Sequence, residues 1–473
     1  MRPASTSGVG SLNRSTIGED GLPQQYAGAV SRLVEAYAAL PVGAPVRLGK
    51  RTSNLFRTRA GSDSPRLDVS AFSGVLSVDV EARTADVLGM TTYEDLVDAT
   101  LAHGLMPLVV PQLKTITLGG AVTGLGIESS SFRNGTPHES VLEMDVLTGD
   151  GRVLTCSREL EPELFFGFPN SYGTLGYALR LRIELEPVRP YVHLRHVRVG
   201  STAEAAELMA QVCATASYQA RPVAFVDGTW FGPDEVYVSL GSWAEQAPQL
   251  SDYTGQRIYY RSVQDKTQDW LSVRDYLWRW DTDWFWCSRA FGAQDPRVRR
   301  WIPRRYLRSD VWWKLVAFEQ RHRWKARWNR RRGLPEREEV VQDVEVPVAR
   351  LPEFMDAFAR DVPIEPVWFC PLRQRRADDV WELYRLDPDV LYVNVGFWSS
   401  VALSAGEPDG THNRLVERLV DDLGGRKSLY STSFYEREHF WRLYNGSVYE
   451  LLKKAYDPDG RLLDLYAKCV ERR

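Results

Sequence analysis

The feature that most constrains this chain is a glycine-dense stretch from Thr117 to Ser131, which reads TLGGAVTGLGIESSS. Four glycines fall within eight positions, and an acid and three serines follow them. Glycine at this density is unfavourable inside regular elements and is typical of backbone that bends sharply or approaches another group closely. The stretch therefore predicts either a tight set of turns or a loop against which a ligand lies.

Three common glycine motifs do not fit the stretch. A dinucleotide-binding GxGxxG motif would need a third glycine, but the GxG at Gly124 to Gly126 is followed by serine at position 129. The P-loop motif and the GxSxG nucleophile motif are absent from the sequence. The remaining interpretation is a loop whose backbone N–H groups hold a diphosphate and whose bare backbone lies beside a flat ring.

The remaining pattern predicts an α+β chain built from two main units. The first, residues 21–190, opens with a helical segment at 24–40 and contains a hairpin that turns at Gly149 to Gly151. The second, residues 191–432, contains a helix and several strands, which lie at 202–217 and near 222–240, 340–349, 364–370 and 390–398. This order favours a cap domain built on an antiparallel sheet, and residues 433–473 are expected to be helical.

Composition and charge exclude several classes of protein. The net charge is −3, and the five cysteines lie far apart without the spacing of a zinc or dithiol site. No apolar run reaches the roughly 18 residues of a membrane-spanning helix, and the polar residues 1–20 are expected to form a disordered tail. We therefore expect a cytoplasmic protein with reduced thiols and no bound metal.

The order of the motifs resembles the FAD-binding domain of the vanillyl-alcohol oxidase and p-cresol methylhydroxylase (PCMH) superfamily. VRLGKRTSN is similar to the strand and first phosphate loop of that domain, and the stretch from Thr117 is similar to its second loop. VLTGDGRVLTCS and FPNSYGTLGYALRLRIELEP are similar to the hairpin and the closing strand that follow. The resemblance implies a PCMH-type FAD-binding domain of two subdomains, followed by an α+β cap domain that binds substrate.

Four segments narrow the resemblance to one branch, the Δ24-sterol reductase family. They span most of the chain and read GIESSSFRNG, FPNSYGTLGY, PVWFCPL and REHFWRLYNGSVYELL. The sequence departs from the animal members of that family in two ways. It lacks their N-terminal membrane-anchor segment, and its section near 297–332 is more basic. These departures weaken the expectation of a sterol substrate and leave the expectation of FAD unchanged.

The resemblance also implies which residues hold FAD. They are Thr117, Leu118, Gly119, Gly120, Ala121, Thr123, Gly124, Gly126, Ile127, Glu128 and Ser129 of the second loop, with Arg51, Thr52 and Ser53 of the first. Some members of the superfamily tether the flavin through a histidine in these loops. Residues 45–60 and 115–130 contain no histidine, and the nearest are His103 and His138. Non-covalent FAD is therefore expected.

The activity implied by the family is reduction of an isolated carbon–carbon double bond in a membrane lipid, with NADPH refilling the flavin directly or through a partner reductase. Such a reaction adds a proton to one carbon and a hydride from flavin N5 to the other, and it needs a general acid in an apolar pocket. A sterol side chain and a methylene-branched fatty acyl chain of a phospholipid both fit as substrate. Two alternatives stay open: an FAD-dependent alcohol or sugar oxidase or dehydrogenase, and a binding module without turnover.

Candidate proton donors lie in the segment SLYSTSFYEREHFW, and they are Tyr430, Tyr435, Glu436 and His439. Each also has an ordinary structural interpretation, as a packed aromatic residue or an acid at a helix start. The predicted substrate pocket draws on the segments EPVWFCPLR and LYVNVGFW, through Trp368, Cys370, Tyr392 and Asn394. The alternative for these four residues is an ordinary place in the core of the sheet.

Tryptophan and arginine are concentrated in residues 270–332, which hold ten of the 16 tryptophans. Residues 297–332 carry twelve Arg and two Lys against Asp310 and Glu319, a net charge of +12. Nucleic-acid binding is disfavoured, because no recognised module surrounds this section. A solvated basic face over inward-packed tryptophans is one interpretation. We favour peripheral attachment to an anionic membrane surface, where both residue types bind.

Overall fold

The structure is a computed structural model that describes residues 23–41, 43–50, 57, 65–322, 327–328 and 331–472. The tail predicted for residues 1–20 lies outside this part of the chain. Strands and helices alternate along both predicted units, which accords with an α+β chain. None of the described helices is long and apolar enough to cross a membrane.

The strands of the described residues are β1 Arg47–Leu48, β2 Arg66–Leu67, β3 Val75–Asp79, β4 Thr84–Leu88, β5 Leu105–Pro107, β6 Val141–Thr148, β7 Val153–Ser157, β8 Gly176–Pro187, β9 Tyr191–Val199, β10 Ser217–Tyr218, β11 Arg221–Pro222, β12 Phe225–Gly232, β13 Glu235–Ala244, β14 Gln268–Ser272, β15 Arg337–Pro347, β16 Val367–Leu372, β17 Tyr392–Ala402 and β18 Arg426–Lys427. The helices are α1 Gln24–Ala38, α2 Tyr93–Leu101, α3 Leu118–Thr123, α4 Ser131–Asn134, α5 Pro162–Gly167, α6 Thr202–Thr215, α7 Tyr259–Asp265, α8 Val273–Leu277, α9 Pro296–Arg299, α10 Ser309–His322, α11 Leu351–Asp361, α12 Thr411–Asp422, α13 Arg437–Leu443, α14 Gly446–Tyr456 and α15 Leu465–Cys469.

The first unit is built on a six-stranded sheet in the order β3-β4-β8-β6-β7, with β5 paired to the end of β8. The strands pair antiparallel, and the predicted hairpin is β6 and β7. The long strand β8 alternates apolar and charged residues, so the sequence places Arg180 on the side away from the core. In the structure Arg180 is buried, because helix α1 covers that side and Asp145 accepts hydrogen bonds from both the guanidinium and Tyr26.

The second unit is built on an eight-stranded sheet in the order β14-β9-β13-β12-β16-β17-β15-β18. All its described pairings are antiparallel, as expected for the cap domain, and β15 and β17 pair along their full length. Helices α6, α11 and α12 pack on one face through an apolar core. The opposite face contributes Trp368, Cys370 and Trp398 to a core shared with the first unit. This second face therefore lies at the junction of the two units.

The C-terminal helices return to the first unit. The Asp150 amide donates to the Tyr456 carbonyl oxygen at 3.1 Å, and Lys453 Nζ donates to the Thr174 carbonyl oxygen at 2.8 Å. Lys468 Nζ donates to the carbonyl oxygen of Tyr172 at 2.6 Å. The segment predicted at 433–473 thus packs beside the loop that precedes β8.

Candidate functional site

Helix α3 holds the first part of the glycine stretch. Thr117 precedes the helix, and its Oγ1 accepts a hydrogen bond from the Gly120 amide at 3.2 Å. The Gly119 amide donates to the Gly89 carbonyl oxygen at 2.9 Å, and a Cβ at position 119 would lie only 2.7 Å from that oxygen. Gly119 is therefore required by close packing of two backbone segments.

The other three glycines face different surroundings. A Cβ at Gly126 would press on Pro137 and Pro111 at 2.9 and 3.0 Å, and one at Gly124 would contact the Tyr172 ring at 3.4 Å. Outside its own helix, a Cβ at Gly120 would meet only Thr117 Oγ1 within 4 Å among the described residues. Gly120 thus differs from the other three in that its one described neighbour within 4 Å is a side-chain oxygen, at 2.8 Å, rather than packed backbone or rings.

The backbone after α3 offers hydrogen-bond donors. Leu125, Gly126 and Ile127 donate no backbone hydrogen bond to any other described residue. Three successive N–H groups of this kind are suited to oxygen atoms of a bound anion or ring. They lie within the loop predicted to hold the cofactor.

A second loop, between α5 and β8, lies against the end of α3, because the Tyr172 amide donates to the Thr123 carbonyl oxygen at 2.7 Å. Asn170 and Tyr172 have φ of 61° and 52°, in the left-handed region that non-glycine residues rarely adopt. Both polar atoms of the Asn170 amide group and the Ser171 Oγ are buried without a partner in the described part of the chain. Such atoms cost about 1–3 kcal/mol each when nothing binds them.

The predicted residues of the first phosphate loop, Arg51, Thr52 and Ser53, lie outside the described residues, but Arg57, a few positions further along, is described. Arg57 is buried, its Nη2 donates to the Leu429 carbonyl oxygen at 2.6 Å, and its guanidinium lies 5.2 Å from the Tyr172 ring centroid. Its Nε and Nη1 have no partner among the described residues. A buried guanidinium in this state suits an acidic ligand.

These groups fit FAD. The groups that could hold the cofactor lie around the contact between α3 and Tyr172. They are Gly120, the amides after α3, and the unpaired atoms of Asn170, Ser171 and Arg57. A dinucleotide that carries a diphosphate and a flat polar ring can use N–H donors, a guanidinium and a bare backbone wall together. The residues described for both loops are thus compatible with the predicted cofactor.

A pair of acids, Glu345 buried and Asp343 half-buried, lies on the face of the cap sheet that meets the first unit. Asp343 and Glu345 are two residues apart on β15, so their side chains point to the same face. Asn394 lies opposite Glu345 on β17, and its Nδ2 donates to Asp343 Oδ1 at 3.2 Å. Tyr384 OH donates to Glu345 Oε2. The Asn394 Oδ1 and Glu345 Oε1 atoms have no partner among the described residues.

Both acids keep a substantial neutral fraction near pH 7. Burial raises the pKa of Asp343 to about 7, although hydrogen bonds from Asn394 and Tyr430 limit the rise. Burial, together with the nearby Asp343 charge, raises the pKa of Glu345 to about 8 despite the hydrogen bond from Tyr384. A carboxyl group with a pKa near the working pH is suited to general acid catalysis.

Tyr430 is oriented by an indole. Trp398 Nε1 is 2.8 Å from Tyr430 OH, and because an indole nitrogen only donates, the tyrosine oxygen accepts. The Tyr430 hydroxyl therefore donates its proton in the hydrogen bond that it shares with Asp343. Burial raises the pKa of Tyr430 well above its usual value. Two hydrogen bonds, from Asn394 and Tyr430, thus orient the Asp343 carboxyl group.

An aromatic wall adjoins the acids. The ring centroids of Phe285 and Trp398 are 4.3 Å apart, and Phe285 also meets Trp368 at 5.4 Å. Trp284 and Phe285 have φ of 47° and 59°, which is unusual for bulky residues and suggests backbone strain at this turn. The segment thus brings apolar surface to the acids, where a hydrocarbon chain could lie.

The loops and the acids meet through Tyr172. Its hydroxyl accepts from the Leu429 amide at 3.0 Å and lies 3.3 Å from Ser428 Oγ. Tyr430, the next residue, contacts Asp343. We call Asp343, Glu345 and the side chains that bond them, Asn394, Tyr384 and Tyr430, the acid cluster. The predicted FAD loop and the cap-sheet acids therefore border one site, with Tyr172 between them.

A buried bridge also joins the two units beyond the glycines. Arg279 is fully buried, and its Nη2 lies 3.0 Å from Glu128 Oε1 and 2.7 Å from Asp227 Oδ2. Glu128 Oε1 also accepts from Ser129 Oγ at 2.7 Å, and that hydroxyl lies 2.7 Å from Tyr276 OH. In the described structure, these two predicted cofactor residues are thus engaged with cap residues.

The predicted substrate residues lie on the same inner face. Cys370 pairs with Asn394 across β16 and β17, and Trp368 pairs with Gly396. Trp368 and Cys370 are buried, and Tyr392 OH accepts from the Asp387 amide at 3.2 Å, towards the end of the sheet. Trp368, Cys370 and Asn394 therefore border the acid cluster, and Tyr392 lies to one side.

The four predicted proton donors separate in the structure. Tyr430 lies in the acid cluster, whereas Tyr435 is buried among aromatic rings with no hydrogen-bond partner for its hydroxyl among the described residues. Glu436 is exposed at the start of α13, and His439 Nε2 lies 2.6 Å from Asp421 Oδ2. The structure thus brings only Tyr430 to the acids.

Asp343 and Glu345 are not among the residues predicted from the sequence. In VVQDVEVPV they alternate with valines, a pattern that ordinarily places the polar residues towards solvent. The sequence held one indirect signal. The aromatic residues of 278–286 need a surface to pack on, and packing them on the second face of this sheet covers the acids as well.

Comparison with known proteins agrees with the FAD-binding domain predicted for the first unit. A family model described as an FAD binding domain matches residues 28–157. Delta(24)-sterol reductase of Homo sapiens is 25% identical over 418 residues, which cover 84% of this chain and 76% of that protein. Delta(24)-sterol reductase of Arabidopsis thaliana is 23% identical over 443 residues, or 86% and 77%. Cytokinin dehydrogenase 2 of Oryza sativa subsp. japonica is 39% identical over 112 residues, or 24% and 20%. The predicted PCMH-type fold is confirmed.

Proposed function

From the premise that this chain belongs to the Δ24-sterol-reductase-like branch of the PCMH-type FAD-binding proteins, we propose that it reduces an isolated carbon–carbon double bond in a membrane lipid. It is an FAD-dependent oxidoreductase, as predicted. NADPH is the proposed electron donor. One observation above all supports the proposal: a half-buried acid with a raised pKa, Asp343, lies beside an aromatic wall near the predicted FAD loops.

An isolated alkene sets specific demands on such a site. It has no carbonyl group to hold negative charge, so a proton must be added to one carbon while the other accepts a hydride. The proton donor must be neutral near pH 7 and shielded from water. Asp343 is suited to this role, since its side chain is half-buried and burial raises its pKa to about 7, which leaves a substantial protonated fraction at neutral pH.

Reduced FAD, when bound, supplies the hydride. Asp343 protonates the less substituted carbon of the double bond, and the more substituted carbon takes the hydride. The Asp343 carboxylate then regains a proton from solvent. In sum, the alkene, NADPH and one proton give the saturated chain and NADP⁺, so atoms and charge balance.

The other residues of the cluster position this acid. Asn394 Nδ2 and Tyr430 OH both donate to the Asp343 carboxyl group, and Trp398 holds the tyrosine. Trp368, Cys370 and Phe285 provide apolar surface for the hydrocarbon. In the FAD loops, Gly120 and the amides of Leu125 to Ile127 would hold the cofactor.

Two lipid classes remain substrates under this proposal. A sterol side chain is supported by the names of the relatives, Delta(24)-sterol reductase. A methylene-branched acyl chain of a phospholipid is supported by the arginine-rich composition, which is typical of a GC-rich bacterial genome, and by the basic section 297–332. Both offer a substituted double bond without a neighbouring carbonyl group.

The direct test uses the full-length FAD-loaded protein with NADPH and each lipid separately in phosphatidylcholine vesicles. We expect mass spectrometry to reveal a product heavier by two hydrogens for one lipid class, with one NADPH consumed per product. Reaction in D₂O should introduce deuterium at the protonated carbon. If NADPH bleaches the flavin but neither lipid is reduced, the proposed substrate class is wrong. Rapid peroxide formation from alcohols or sugars would favour an oxidase instead.

A further inference from the structure

The exposed side of residues 297–334 differs from the rest of the surface. Large apolar side chains are 42–75% exposed there. They include Trp301, Tyr306, Leu315, Phe318, Trp328 and Leu334. Soluble proteins seldom expose such residues together, and a group of them marks an interaction surface. We call the exposed residues of this section the Arg/Trp surface.

The tryptophans of the wider section 270–332 do not all belong to this surface. Those that are buried in the shared core are Trp278, Trp280, Trp284, Trp286 and Trp312. Trp301 and Trp328 are exposed by 75% and 56%, and Trp324 lies outside the described residues. Many tryptophans of the section thus pack inward, and a few remain on the outside.

Arginines accompany the exposed rings. The guanidinium carbons of Arg300 and Arg332 lie 5.3 and 4.4 Å from the ring centroids of Trp301 and Trp328. That of Arg305 lies 4.9 Å from the Tyr306 ring. Each pair places a positive charge and an apolar ring at the same point. A bilayer interface offers the matching groups, phosphate and acyl chain, at the same depth.

Charge favours an anionic occupant. Residues 297–332 carry a net charge of +12 in a chain whose total is −3, so the remainder carries −15. Only part of this charge is neutralised locally. Arg299 is buried with Asp283, and Arg308 pairs with Glu94 and Asp310. Arg300, Arg305 and Arg321 are exposed.

The surface is anchored to the body of the protein. Trp312 of α10 is buried, and its Nε1 donates to the Thr282 carbonyl oxygen at 2.8 Å. Three residues further along, Phe285 contacts Trp398 beside the acid cluster. Leu315 and Phe318 of the same helix face outward and are neighbours at a spacing of three. One short segment therefore connects the Arg/Trp surface with the site.

We infer that the Arg/Trp surface docks the protein on an anionic lipid bilayer, with the exposed rings in the interfacial layer and the arginines on phosphate groups. The claim of binding to the bilayer depends only on the exposed side chains and the positive charge of the Arg/Trp surface. Delivery of lipid from that bilayer to Asp343 rests on the proposed function. The two claims are tested separately.

Vesicle sedimentation of the full-length FAD-loaded protein tests the docking. We expect binding to vesicles of phosphatidylcholine mixed with phosphatidylglycerol, weaker binding to phosphatidylcholine alone, and release by salt. The triple change Arg300→Glu, Arg305→Glu and Arg321→Glu should weaken binding at least about a hundredfold. The triple change Trp301→Ala, Phe318→Ala and Trp328→Ala should weaken it at least about tenfold.

Matched controls use exposed residues elsewhere. Leu160, Leu250 and Leu451 are 48–68% exposed, and their replacement by alanine should leave vesicle binding unchanged. The changes Arg32→Glu, Arg182→Glu and Arg198→Glu should have at most about a tenth of the effect of the surface triple. Flavin absorbance and thermal unfolding report whether each variant is folded.

Several outcomes would overturn the inference. They are equal binding to neutral and anionic vesicles, equal losses in the surface and control variants, and salt-sensitive binding to duplex DNA without binding to vesicles. Reduction of lipid dispersed in detergent, compared with lipid in vesicles, tests delivery. A surface variant that loses only the vesicle reaction supports delivery. A protein that binds vesicles but reduces no lipid refutes the proposed function and leaves docking intact.

Discussion

At the scale of single residues, Asp343 differs from an ordinary strand residue in how it is enclosed. Its side chain is half-buried, and its carboxyl group accepts from Asn394 at 3.2 Å and shares a hydrogen bond with Tyr430. Glu345, two positions along, has a similar enclosure with Tyr384 as its donor. Two neighbouring carboxyls with raised pKa values are typical of sites that handle protons.

The stability of the protein is expected to fall as pH rises through the ionisation of these acids. Their pKa values are about 4 in the unfolded chain, against about 7 and about 8 in the folded protein. Their stabilising contribution is thus complete below about pH 4 and is lost as pH rises through the folded values. In urea unfolding, Asp343→Asn with Glu345→Gln should flatten the decline from about pH 5 to about pH 8. An unchanged slope would contradict the raised pKa values.

Gly396 makes room for the acid. It pairs with Asp343 across the sheet, and a Cβ at this position would overlap Asp343 Oδ1 and lie 2.7 Å from Trp398 Cη2. Gly396→Ala should therefore displace the carboxyl group, reduce kcat at least about tenfold and cost about 1–3 kcal/mol of unfolding free energy. Steady-state kinetics and urea unfolding measure the two effects.

The matched control for that change is Gly232→Ala, also in a cap strand. The nearest atom to a Cβ there is Glu365 Oε2 at 3.9 Å. We expect kcat and stability close to those of the unchanged protein. If Gly396→Ala and Gly232→Ala change kcat and unfolding free energy equally, the absence of a side chain at Gly396 is not what positions the Asp343 carboxyl group.

At the scale of elements, the alternation of apolar residues made several strands predictable. Where another element packs over a strand, the same alternation gave the wrong face as exposed. The hairpin β6–β7 and the cap strands β15 to β17 follow the apolar alternation of the sequence. Helix α11 carries Leu351, Phe354, Met355 and Phe358 at helical spacing, but the sequence analysis did not include it. Its signal was present in the chain.

The site was less predictable than the strands. The FAD loop follows from motif order, whereas Asp343 and Arg180 alternate with apolar residues and so resemble solvent-facing positions. Only a second layer over each face buries them: α1 over Arg180 and the aromatic segment 278–286 near Asp343. Sequence periodicity describes one element at a time, and it carries no information about such a layer.

The bridge from Glu128 through Arg279 to Asp227 joins the FAD unit to the cap. Arg279→Met would leave two buried carboxylates without their partner, and we expect a loss of about 3–5 kcal/mol in unfolding free energy. Weaker retention of FAD should accompany it, because Glu128 belongs to the cofactor loop. Thermal unfolding and flavin release on gel filtration measure these effects.

Arg274→Met provides the comparison. Arg274 also joins the two units, through Asp98, but both side chains are 47% exposed. An exposed pair contributes at most about 1 kcal/mol. Equal losses in the two variants would mean that burial of the Arg279 bridge is unimportant.

At the scale of the whole molecule, the two units meet along one face of the cap sheet. The glycine stretch and the Asn170–Gly173 turn border this junction from one side, and the acids and aromatic wall border it from the other. Tyr172 contacts both sides. Under the proposed function, a proton donor of the cap would act together with a cofactor held by the first unit.

The central claim is that Asp343 protonates a lipid alkene reduced by the bound flavin. The most direct measurement is an anaerobic stopped-flow experiment on the unchanged protein and the Asp343→Asn variant. NADPH should bleach the flavin absorbance in both, because the acid takes no part in that step. An unsaturated lipid substrate should then restore the absorbance of the unchanged protein, and do so at least about a hundredfold more slowly in the variant. Equal rates of restoration in the two proteins would contradict the account.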